Sequence, residues 1–123
     1  MSDTAKPIPP TIRGQKYISL TTFRKNGVAV ATPVWFGEDT GKLYVMTRSV
    51  MGKTKRIRNN PQVRVAPCTI KGRVTGQDFA ASTRILPREE QSHARQTISR
   101  KYWLARLTSI FSRADTFLEL TFP

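Results

Sequence analysis

Hydrophobic and polar positions alternate in several short runs along this chain, and each run ends at residues that favour turns. Lys16 to Phe23 (KYISLTTF) is rich in β-formers and predicts a strand. Asn26-Gly27 predicts a two-residue hairpin, because both positions tolerate positive φ, with Val28 to Phe36 (VAVATPVWF) as the returning strand. Glu38 to Gly41 (EDTG) reads as a turn and Lys42 to Thr47 as a third strand, the three forming an antiparallel meander. Gln62 to Thr69 predicts a fourth strand and Arg73 to Ser82 a fifth, weakened by Gly76. Thr116 to Phe122 sets Leu118, Leu120 and Phe122 against Glu119 and Thr121, and reads as a closing strand.

The period changes to a helical one twice. Gly52 to Asn60 predicts a helix stopped by Pro61, with Ile57 and Met51 as its buried contacts. Pro87 to Phe111 opens with Pro and Glu-Glu, as a helix start should. In it Ala94, Ile98, Tyr102 and Ala105 make one apolar stripe, and Trp103, Leu107 and Ile110 make a second. Two stripes predict a helix that covers the sheet on one side and meets a second subunit on the other. Met1 to Gly14 is polar and proline-rich, a flexible lead-in that leaves residues 15–123 as a single domain. The fold class is therefore mainly β (α+β): an antiparallel β-barrel of about six strands with short capping helices.

Pro33 lies inside the second strand, where it can donate no ladder hydrogen bond, so that strand must be unpaired or interrupted on one side. Unpaired backbone beside Val34 and Trp35 would make a floor for a flat ring system.

Composition narrows the partner. The 123 residues carry a formal charge of +13, which points to an acidic ligand or surface. Between Thr40 and Asp78 there are nine basic residues and no acidic one. Cys68 is the single cysteine, which excludes an internal disulfide and the Cys-rich zinc patterns, and no metal site is expected. No run approaches ~20 apolar residues, so a cytoplasmic protein without membrane attachment is expected.

The densest chemistry lies in Leu43 to Arg58 (LYVMTRSVMGKTKRIR), where a strand passes through Ser49 and Gly52 into a helix whose first turn carries Lys53, Lys55 and Arg56. Helix N-termini already present unpaired N–H groups and a partial positive charge, so cations there are unfavourable unless an anion docks among them. This stretch reads as an anion cradle, suited to a cofactor phosphate. No catalytic residue is assigned. His93, the only histidine, falls on the polar part of the last helix, and Cys68 has no sequence neighbour to activate it.

The ordered occurrence of LTTFRKNGVAVATPVWF (Leu20 to Phe36), LYVMT and GKTKRIRNNPQVRVAPC (Gly52 to Cys68) resembles the split β-barrel oxidoreductases. These are the pyridoxamine phosphate oxidase-like flavoproteins, and the likeness is greatest to the small deazaflavin-dependent branch. The resemblance implies a split antiparallel barrel that forms a homodimer, with a flavin or deazaflavin at the interface. It implies that Pro33, Val34 and Trp35 line the ring. Met46, Thr47, Ser49, Gly52 and Lys53 then hold the phosphate-bearing chain, assisted by Lys55 and Arg56.

The implied activity is hydride transfer to or from a small conjugated substrate. Coenzyme F420 is the implied cofactor, since its acidic tail suits the charge. FMN is the alternative, and a haem-binding relative on the same barrel is another. A vitamin B6 oxidase is disfavoured, because TPVWF stands where those enzymes carry a basic cluster and because no long segment follows Phe122. A basic nucleic-acid-binding barrel is the rival from a different class; no RNA-recognition aromatic signature supports it.

Overall fold

The computed structural model describes residues 7–102 and 114–123. It contains the strands β1 (Tyr17–Phe23), β2 (Ala29–Trp35), β3 (Gly37–Asp39), β4 (Lys42–Thr47), β5 (Gln62–Pro67), β6 (Phe79–Ile85) and β7 (Thr116–Thr121). The helices are α1 (Gly52–Asn59) and α2 (Gln91–Lys101), with a single 3-10 turn at Arg88–Glu90 before α2. All seven strands join one sheet in the order β2-β1-β5-β6-β7-β4-β3, with every pairing antiparallel. The sheet curls until β2 approaches β4, but no hydrogen bonds join those two strands. This is a split barrel, as expected, with seven strands rather than about six.

The expected meander is corrected here. β1 and β2 form a hairpin, but the chain breaks at fully buried Phe36 and resumes as β3, which pairs with β4 across a tight turn. Thr40 and Gly41 have φ of 50° and 80°, the two positive values that a two-residue hairpin turn with the strand's own twist requires. β4 cannot pair with β2 because β7 occupies its other side. The first hairpin also differs: the Gly27 N–H donates to Arg24 O, so the turn centres on Lys25-Asn26, and only Gly27 takes positive φ.

The fifth strand begins at Phe79, because Arg73 to Asp78 folds back on β5. Val74 bridges Cys68, Thr75 donates to Pro67 O, and Gly76 packs so closely that an added Cβ would stand 2.9 Å from Pro67 Cγ.

Strand alternation sorts side chains into two cores. Leu43 and Val45 of β4, with Leu118 and Leu120 of β7, point into the barrel and join Ile18, Leu20, Phe36, Val63 and Val65. Tyr44 and Phe117 point outward beneath α2, against Ala94 and Ile98. A period of two places neighbouring residues on opposite faces, which is why one strand serves both cores. Ile8 and Ile12 are 7% and 0% exposed within the barrel core, so from Pro7 onward the expected lead-in is part of the packed structure. Met51, expected to be buried, is 42% exposed. The second stripe of the last helix (Trp103, Leu107, Ile110) and Ala105 lie outside the described residues. Among the described residues no helix is long and apolar enough to cross a membrane.

Candidate anion-binding pocket

The split holds a pocket of about 430 Å³ lined by Tyr17 of β1, Pro33, Val34 and Trp35 of β2, Met46 of β4, Lys53 of α1 and Ile70 of the β5–β6 loop. β2 is an edge strand, so Pro33, whose partner is Ser19 of β1, leaves no ladder hydrogen bond unmade on its free side. Trp35 and Met46 line the pocket and also pack on the core beneath α2, so that core supports the pocket from behind.

Lys53 supplies the charge. It is 8% exposed and, among the described residues, neither it nor Arg56 has an ion-pair partner. Burial pushes the Lys53 ammonium below its ordinary pKa, and the charge of Arg56 pushes it further the same way. Arg56 is held in place by its Nε, which donates to Thr22 Oγ1 at 2.6 Å. Its guanidinium folds back over the helix start, where a Cβ on Gly52 would stand 2.8 Å from Nη1. Met51 caps α1 without a side-chain hydrogen bond, and among the described residues the Gly52 and Lys53 N–H groups find no backbone acceptor. Two cations and two free amides thus gather at one helix end beside an apolar floor. This donor set fits a phosphate or carboxylate.

Of the sequence-predicted residues, Pro33, Val34, Trp35, Met46 and Lys53 come together in the pocket. Gly52 and Arg56 lie at the start of α1 beside Lys53 but are not among the lining residues. Thr47 is buried within β4, and its carbonyl accepts the Asp115 N–H at 3.1 Å. Lys55 points to solvent. Ser49 is engaged elsewhere, its N–H and Oγ donating to the Asp115 carboxylate at 2.7 and 2.9 Å. Asp115 therefore brings an acid next to a stretch that looks purely basic in sequence. These hydrogen bonds also hold the Asp115 carboxyl below the ordinary carboxylate range.

Sequence reasoning missed Tyr17 and Ile70. Tyr17 pairs directly with Trp35 across the β1–β2 ladder, a register that only the true turn centre reveals. Ile70, 64% exposed at a loop tip, carries no periodic signal. His93 is not near the pocket; its Nε2 lies 3.0 Å from Asp39 Oδ2. Cys68 is 5% exposed, and burial pushes its thiol pKa up. Among the described residues no group of three or more His, Cys, Asp or Glu could hold a metal.

Similar solved structures agree on the fold. The haem storage protein HutZ of Vibrio cholerae is 15% identical with a TM-score of 0.65, the match covering 89% of this chain and 82% of HutZ. An FAD-binding protein of Mesorhizobium loti is 16% identical with a TM-score of 0.61, covering 87% and 81%. A protein of unknown function from Agrobacterium tumefaciens is 16% identical with a TM-score of 0.66, the match covering 87% of this chain but only 48% of that longer one. No curated protein matches the sequence. The family described as pyridoxamine 5'-phosphate oxidase matches residues 6–122, nearly the whole chain. The chain belongs to the pyridoxamine 5'-phosphate oxidase family.

Proposed function

We propose that this protein is an oxidoreductase that binds coenzyme F420 in the pocket at the split, as a homodimer with the second subunit closing the groove. FMN is the alternative cofactor. The observation that carries the reading is the pairing of Lys53, buried without a carboxylate among the described residues, with an apolar floor of Pro33, Val34 and Trp35. A cavity of this size is within the range of small-molecule sites. When bound, such a ring supplies the hydride chemistry, to or from a small conjugated substrate. The chain's own residues bind and orient: Lys53, Arg56 and the free amides of α1 hold the phosphate, while Trp35 and Met46 exclude water from one side of the floor.

The charge of +13 favours the more acidic deazaflavin over FMN. The exposed strand β2 and the exposed Val28 (46%), Ile70 (64%) and Val74 (51%) suit contact with a second subunit. A haem site has less support, because no histidine lines the pocket.

Titration of purified protein with coenzyme F420 and separately with FMN, read by quenching of cofactor fluorescence, tests the reading. Saturable uptake of F420, with weaker uptake of FMN, is the expected result. An oligonucleotide mobility shift without uptake of either cofactor would overturn it.

A further inference from the structure

In the pocket read above as a cofactor site, and dependent on that reading, we propose that Tyr102 is a positioning residue that fixes the Tyr17–Trp35 rung and so the plane of the pocket floor. Tyr102 directly follows α2. Its ring lies parallel to the Trp35 indole, with centroids 5.1 Å apart and an interplanar angle of 9°. Its hydroxyl donates to Lys16 O and accepts the Phe36 N–H at 3.4 Å. Lys16 precedes Tyr17 and Phe36 follows Trp35; these two are cross-strand partners, and both line the pocket. One side chain thus holds the backbone on both strands at the rung whose two residues both line the pocket.

That rung needs outside support. It is the terminal rung of the ladder, and among the described strands β2 has no neighbour on its outer side. Tyr17 is also held from β5, since the Cys68 N–H donates to Tyr17 O at 3.4 Å. Trp35 packs at one edge on the core beneath α2, but among the described residues Tyr102 supplies the one aromatic ring stacked on it, so the indole plane depends on that stack. Lys101 reinforces the grip: its Nζ donates to Gln15 O and lies 3.6 Å from the centroid of the Phe36 ring. Consecutive side chains at the end of α2 therefore hold the consecutive carbonyls that lead into β1. Burial raises the Tyr102 phenol to about 12, so it stays protonated and able to donate well above neutral pH.

The test uses a Trp103→Phe background, in which Trp35 is the sole tryptophan of the chain. Tyr102→Phe keeps the stack but loses the bridge to Lys16 O and the Phe36 N–H, and it should raise acrylamide quenching of Trp35 about 1.5-fold and weaken F420 binding about threefold relative to the background. Tyr102→Leu removes the stack, and it should at least roughly double the quenching constant and weaken F420 binding about tenfold. Should Tyr102→Leu not fold, Tyr102→Met fills similar space without a flat ring and carries the same two readings.

Unchanged quenching in the Leu or Met variant overturns the role of Tyr102. Raised quenching with unchanged affinity overturns it too, since the rung would then move without consequence for the pocket. Quenching needs no ligand, so the two readings fail separately. A protein that takes up neither F420 nor FMN, yet shows the quenching change, removes the cofactor and leaves the rung held by Tyr102.

Discussion

Glu119 and Lys53 are equally buried, each 8% exposed, and the chain treats them in opposite ways. Glu119, on β7, is surrounded by donors. Tyr44 OH donates to Oε2 at 3.3 Å and Lys42 Nζ lies 3.7 Å from the same oxygen. Arg84 donates to Oε1 through Nε and Nη2, both at 3.2 Å, and is itself held by Glu90 at 2.8 and 3.1 Å. Among the described residues Lys53, on α1, has none of this, and it sits near a second cation, Arg56. Burying a charge is costly unless it is paired and hydrogen-bonded. The Glu119 site is complete within the described residues; on the proposed reading, the Lys53 site takes its anion from a bound cofactor.

The comparison can be broken in three ways. Glu119→Ala should have the largest effect, because it leaves Arg84 and Tyr44 facing a vacated buried site. A loss of about 3 kcal/mol in chemical denaturation is expected, and a loss below about 1 kcal/mol would mean the network is only decoration. Lys53→Met should act oppositely on stability and binding. It should weaken F420 or FMN binding by about 2 kcal/mol, the range of a charge-assisted hydrogen bond. It should also leave the ligand-free protein as stable as before or more so, since an uncompensated charge has been removed. Destabilisation of the ligand-free protein by Lys53→Met would show that Lys53 already has a partner.

The smallest effect is in pH. Burial lowers Lys101 from its ordinary value to about 8. From there up to the ordinary lysine value the unfolded chain holds more protons than the folded one, so this group makes stability rise with pH. Burial raises the phenols of Tyr44 and Tyr102 to about 12, with Glu119 adding to the effect on Tyr44. Above pH ~10 the unfolded chain loses protons that the folded one keeps, so stability falls. Thermal melts should therefore show a maximum between about pH 8 and 10, and Lys101→Met should reduce the rising limb, leaving the part that Lys53, lowered in the same direction, contributes.

Local features were legible in the sequence and distant ones were not. The strands of the first hairpin, the helix stop at Pro61 and the unpaired side of Pro33 follow from two or three neighbouring residues each, whereas β3 was hidden inside what reads as a turn. The Lys53 cradle was readable because a helix dipole acts within one turn. A turn centred on Asn26-Gly27 would pair Ile18 with Trp35; the turn one half-step earlier pairs Tyr17 instead, and a one-residue slip changes which face meets the pocket. Sheet order was hidden because β7 enters between β6 and β4, and nothing near Leu43 in sequence announces a neighbour at Leu120. The same distance hid Asp115 from Ser49, 66 residues away.

The clasp between Asp115 and Ser49 also sets a schedule for synthesis. Chains emerge from the ribosome N-terminus first, and contacts between remote residues form late. The β1–β2 hairpin and α1 can form early, but the loop from Arg48 to Met51 gains its anchor only once Asp115 has emerged, and β4 its inner neighbour only with β7. A growing chain that already contains every residue lining the pocket therefore still lacks the strand and the clasp that hold the pocket wall in place.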